Sequence, residues 1–167
     1  MSGDPKHASH PIINLINIMQ TIDNTIILLS EAWTARDAIA LAALWDPLEP
    51  QPLYMAEEVD QPLTSLAAIR DYWSRTLSAV GFIRMEVRNV QVRALAADLG
   101  SASYDMRWSG SFAGFDRPIG GATRVSAILR LRPEGWRFIQ YVEAPLAPIV
   151  YMRHLYGMAA QHLQDLP

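Results

Sequence analysis

The chain has no cysteine, which excludes disulfides, thiolate nucleophiles, cysteine-ligated zinc and iron–sulfur clusters together. It has no basic excess either. Lys and Arg number 14 against 17 Asp and Glu, a formal net charge of −3, which argues against nucleic acid and anionic membrane as partners. Histidine is confined to His7, His10, His154 and His162, so residues 12–145 contain none and no histidine-rich metal site is expected there. No run reaches the roughly 18 apolar residues that a membrane span needs. The isoleucine-rich stretch from Ile12 to Leu29 lacks a basic leader and is broken by Asn14, Asn17, Gln20, Asp23 and Asn24, so a cytoplasmic protein is expected. Phosphate-binding GxxxxGK[ST] and GxGxxG patterns are missing, and no cofactor is expected. Ser109-Gly110-Ser111 has no helix after it and is not a nucleophile elbow.

What is present is apolar. Of 167 residues, one domain's worth, half are hydrophobic and only 19% are charged. So little polar cover points to a buried dimer surface or an apolar cavity. Residues 1–11 read as a disordered tail, 12–145 as one α+β domain and 146–167 as a C-terminal helical extension. Leu15, Met19, Ile22, Ile26, Leu29 and Trp33 form one stripe of a long helix. Asp37 is placed to cap a short second helix carrying Ile39, Leu41, Leu44 and Trp45, and Pro47, Pro50 and Pro52 end it. Leu53 to Glu57 reads as a short strand. Ser65 is placed to cap a third helix through Leu66, Ile69, Trp73, Leu77 and Val80.

After Gly81 the period changes from 3.6 to 2. Ile83, Met85 and Val87 alternate with charged residues, and at Asn89 the phase slips, which predicts a β-bulge and a bent strand. Three more strands follow, through Ala102–Trp108, Val125–Leu131 and Trp136–Glu143. Pro148 is placed to open a final helix carrying Met152, Leu155, Ala159 and Leu163. The expected architecture is three helices on a strongly curved antiparallel sheet, a cone-shaped α+β fold with a C-terminal helix, whose mouth is a pocket.

This order, with Ala32-Trp33 through Asp37, Leu44-Trp45-Asp46, Ala67-Ala68-Ile69-Arg70-Asp71-Tyr72-Trp73 and Gly135-Trp136-Arg137-Phe138, resembles the nuclear transport factor 2-like superfamily, in its SnoaL-like and ketosteroid-isomerase-like branch. The resemblance implies the cone fold over residues 16–143. It does not imply one activity, because the fold carries many. Matched position by position, the tyrosines of the isomerases' oxyanion hole fall on Leu29, Trp45 and Trp73. Their donor aspartate falls near Ala127 or Ile128, and their base on Ala56 or Glu57. These replacements remove the donor set, so ketosteroid isomerisation is not expected. The histidines of the scytalone-dehydratase-like members are missing as well.

The residues leave two functions open. One is an isomerase, cyclase or dehydratase in which one carboxylate, Glu57 or Glu143, works as a general base in an apolar surround that raises its pKa. The other is a non-catalytic ligand-binding or dimeric assembly module. Tyr141 and Glu143 share a strand face about 7 Å apart and either end a cavity or pair with Arg124 or Arg107. Leu29, Trp33, Trp45, Tyr54, Tyr72, Trp73, Met106, Trp108 and Tyr141 are the expected walls for a small apolar ring molecule. The reading is of a closed cavity with one ionisable group. A homodimer through the outer sheet face is expected, from Ile128, Phe138 and Val142.

Overall fold

A computed structural model describes residues 11–146, with side chains from residue 22 onward. The expected tail over 1–11 and the helix expected after Pro148 lie outside the described residues, apart from Pro11.

Helix α1 spans Pro11–Ala35 and α2 spans Ala38–Ala43. Asp37 caps α2, its carboxylate accepting from the Ile39 and Ala40 amides at 2.9 Å each. Helix α3 spans Leu66–Ser78, and the Ser65 hydroxyl accepts from the Ala68 amide at 3.2 Å. Between α2 and α3 lies strand β1, Leu53–Met55. The long strands follow as β2 (Val80–Ala94), β3 (Leu99–Phe112), β4 (Ile119–Arg132) and β5 (Gly135–Pro145). The sheet order is β1-β5-β4-β3-β2. Its four long strands are antiparallel, and β1 adds a parallel edge against β5 through Tyr54 opposite Tyr141. The fold is α+β, three helices on a curved sheet, as the sequence predicts, with that one parallel pair in addition.

The slip at Asn89 is a bulge. The β2–β3 register shifts between Arg88 and Gln91, and Asn89 takes φ 55°, a left-handed conformation that Asn tolerates. A further shift follows Ile128 and leaves Ile139 without an opposite residue. It changes the inward parity of β5. Trp136 and Phe138 face the core before it, and Tyr141 faces the core after it. Phe138, expected on the outer face beside Ile128 and Val142, is therefore fully buried. Ile39 differs from expectation in the other direction: α2 ends at Ala43, and Ile39 is 84% exposed.

The apex of the cone is an aromatic cluster. Trp45, Trp73, Trp136 and Phe138 are all buried. Trp45 lies 5.9–6.1 Å, ring to ring, from Tyr54, Trp73 and Phe138. Tyr54 stacks on Tyr141 at 5.3 Å with planes 9° apart. The end of α2 is tied to β5 by backbone bonds. The Phe138 amide donates to the Leu44 carbonyl at 2.8 Å, and the Asp46 amide donates to the Phe138 carbonyl at 3.0 Å. Asp46, wholly buried, accepts from Arg132 at 2.8 and 3.0 Å. Burial alone would raise its pKa. The bonds from Arg132 and the Leu48 amide, with the charges of Arg132 and Arg130, outweigh that and hold it below the ordinary value.

Candidate functional site

The inner face of the sheet, α1, α3 and the turn after β1 enclose a cleft of about 460 Å³. Its walls are built by the periods that build the elements. The α1 stripe delivers Trp33, and α3 delivers Tyr72 and Thr76. Inward positions of β2 and β3 deliver Ile83, Met85, Met106, Trp108 and Phe112. Tyr54 closes the inner end, and Phe115 and Ile119 stand at the loop between β3 and β4. Trp108 lies flat against Gly121, where an added Cβ would come 3.0–3.1 Å from the indole.

Three carboxylates, Glu57, Glu58 and Glu143, enter this apolar space. Glu143 stands opposite Val125 on the inner face. Arg124 pairs with Ala144 and faces outward, so it does not meet Glu143. The Tyr141 hydroxyl donates to Glu143 Oε1 at 2.9 Å, and the Glu57 amide approaches Oε2 at 3.4 Å. Burial pushes the Glu143 carboxyl up to about 7. The Tyr141 hydrogen bond works against that rise, as does the Glu57 amide, while the charges of Glu58 and Glu57 add to it. The Tyr72 hydroxyl donates to Glu58. Burial and the neighbouring carboxylates raise the phenols of Tyr54, Tyr72 and Tyr141, so these remain protonated donors.

Of the expected site residues, the structure brings Trp33, Tyr54, Glu57, Tyr72, Met106, Trp108 and Glu143 to one cleft. Leu29, Trp45, Trp73 and Tyr141 are buried and do not line it. Trp45 and Trp73 pack the apex behind Tyr54, and Tyr141 backs the cleft through Tyr54, Met106 and Glu143. The single ionisable group expected is three, and the space is a cleft open at one side rather than a closed cavity. Sequence reading left out Glu58 as a site residue, together with Ile83, Met85, Phe112 and Phe115. For Ile83 and Met85 the signal is available, because inward parity on β2 marks them, whereas Phe112 lies beyond the strand expected over Ala102–Trp108.

A larger groove of about 950 Å³ runs between α2, α3 and the β4–β5 turn. Its central charges, Asp46 and Arg132, are spent on each other. Among the described residues no helix is long and apolar enough to cross a membrane, and no group of three acidic or histidine side chains is arranged to hold a metal ion.

The curved α+β cone with its inward-facing mouth is that of the nuclear transport factor 2-like proteins. Solved structures of low identity share it. A nuclear transport factor 2-like superfamily protein from Salmonella enterica superposes with TM-score 0.70 at 12% identity, over 80% of this chain and 94% of that one. A nuclear transport factor 2-like protein with a cystatin-like fold from Novosphingobium aromaticivorans gives TM-score 0.64 at 18% identity, over 81% and 86%. The type 3 hexachlorocyclohexane dehydrochlorinase of Novosphingobium barchaimii gives 0.70 at 12%, over 81% and 91%. No curated protein matches the sequence. The SnoaL-like domain model matches residues 22–148, and the chain belongs to the SnoaL-like family.

Proposed function

We propose that the cleft is a general acid–base site for a small ring-containing molecule, with Glu143 exchanging the proton. The observation that carries this reading is a carboxyl held near neutrality by burial, fixed by Tyr141 at 2.9 Å, at the end of an aromatic-walled space. A group with a pKa near ambient pH is available both as base and as acid. Trp33, Tyr72, Met106 and Trp108 supply flat apolar walls for the ring. Leu29, Trp45, Trp73 and Tyr141 support those walls or Glu143 from behind. In the step, Glu143 Oε takes a proton from a ring carbon. It returns that proton to another carbon in an isomerisation, to the oxygen of the carbonyl that the deprotonated carbon attacks in a cyclisation, or to a departing hydroxyl that leaves as water in a dehydration. That one structural neighbour is a dehydrochlorinase of a ring compound supports a ligand of this size. In this reading the protein works in the cytoplasm as a homodimer joined through the outer sheet face, where Ile128 and Val142 remain partly exposed.

The test is proton exchange. β-Tetralone in heavy water, followed by proton NMR, should lose its α-hydrogens faster with the protein than in buffer. Glu143→Gln should remove about a hundredfold or more of that acceleration while the ketone still binds. A ketone that binds with no acceleration over buffer would refute proton transfer.

A further inference from the structure

The cleft carries negative charge and no positive charge. Its fifteen lining residues include three carboxylates and no Arg, Lys or His. No ion pair among the described residues involves Glu57, Glu58 or Glu143, whereas Asp46, Glu49 and Glu86 each have an arginine. Three donors already serve these carboxylates: Tyr141 and the Glu57 amide bond Glu143, and Tyr72 bonds Glu58. Every other titratable group facing Glu143 is a phenol or an acid. Tyr54 reaches it from β1, Tyr104 from β3, and Glu57 and Glu58 from the turn after β1. Among the described residues, neither α1, α3 nor the sheet brings a positive charge to this space.

An anionic ligand would meet repulsion at each carboxylate and find no cation to offset its lost hydration. A neutral ring would leave those carboxylates, Glu57 and Glu143 half-buried and Glu58 exposed, without counter-charge beside an apolar wall. A cation answers both. The aromatic faces of Trp33, Tyr54, Tyr72 and Trp108 also favour it through their ring quadrupoles. A bare metal ion is disfavoured, because the acidic side chains are not arranged to coordinate one.

We infer that the ligand of this cleft is an aromatic or alicyclic amine, its ring between Trp33, Tyr72 and Trp108 and its ammonium hydrogen-bonded to Glu57 or Glu58. The inference rests on the reading of the cleft as a binding site and adds the charge of what binds. Deprotonation of Glu143 adds one more negative charge, so amine affinity should rise between about pH 6 and 8.

The experiment uses three naphthalene probes of one shape, naphthylmethylamine, naphthalenemethanol and naphthoic acid, titrated into the full chain at about pH 8 with tryptophan fluorescence as readout. The amine should bind at least about tenfold more tightly than the alcohol, and the acid most weakly of all. The preference should shrink with added salt. The Glu57→Gln/Glu58→Gln variant, its fold checked by thermal melting, should bring the ratio of amine to alcohol affinity toward one. An alcohol or acid that binds the unaltered protein as tightly as the amine overturns this inference and leaves the proposed site standing. Failure of all three to bind overturns both.

Discussion

Replacing Glu143 with Gln should stabilise the protein, and only at neutral to alkaline pH. The carboxyl titrates near 4.5 in an unfolded chain and at about 7 in the folded one. Below the lower value both states are protonated and no difference exists. Between the two the folded state keeps a proton that the unfolded state releases, so stability falls by about 1.4 kcal/mol per pH unit as pH rises. Above the upper value the loss is complete, at roughly 3 kcal/mol. Gln has the same shape without the charge. Its Oε1 can accept from the Glu57 amide, and its amide nitrogen can donate to the Tyr141 oxygen, so neither partner is stranded. For a domain of this size roughly 3 kcal/mol corresponds to a melting shift of about 6–12 °C. Calorimetric melts of both proteins at about pH 4, 6 and 8 should show a gap that opens with pH in favour of Glu143→Gln. A gap independent of pH, or a variant less stable at pH 8, would refute the burial argument for Glu143.

Tyr141→Phe removes the 2.9 Å bond that holds the Glu143 pKa down, so the carboxyl should titrate about one unit higher by carbon-13 NMR; an unchanged or lower midpoint would speak against the bond. Asp46→Asn leaves Arg132 without its buried partner, while Arg130 keeps Glu49 at 2.7 Å, and should cost about 2 kcal/mol in urea unfolding at neutral pH. Because the Asp46 pKa is depressed, its contribution is present above the unfolded-state value and disappears as pH falls through the folded one, so the two proteins should converge in acid. Sedimentation velocity at micromolar concentration should show a homodimer that Ile128→Arg dissociates; a monomer of the unaltered chain contradicts the outer-face contact.

The parts of the fold that local chemistry specifies could be read from the residues alone. Asp37 and Ser65 are caps because a carboxylate or hydroxyl ahead of an apolar stripe satisfies free helix amides. The Asn89 bulge showed as a slip of phase, and the meeting of Tyr141 with Glu143 followed from the period of a strand. What stayed hidden depends on contacts between distant segments. The Ile139 irregularity reverses inward parity between Phe138 and Tyr141, and nothing in the alternation around it announces that. Trp45 and Trp73 both point inward as their stripes require. Periodicity, however, cannot say whether the inward space is filled, as it is at the apex, or open, as it is around Trp33 and Trp108. Glu58 lies in a turn, where no period operates, and only the packing of α3 brings the Tyr72 hydroxyl to it.

A ring-sized ligand beside Glu143 is tested most directly by a crystal structure of the protein soaked with β-tetralone. The ring should lie between Trp33, Tyr72, Met106 and Trp108, with its α-carbon or oxygen within about 3.5 Å of a Glu143 carboxylate oxygen. A ring seated in the groove beside Asp46 and Arg132, or a cleft closed by its own side chains, would contradict it.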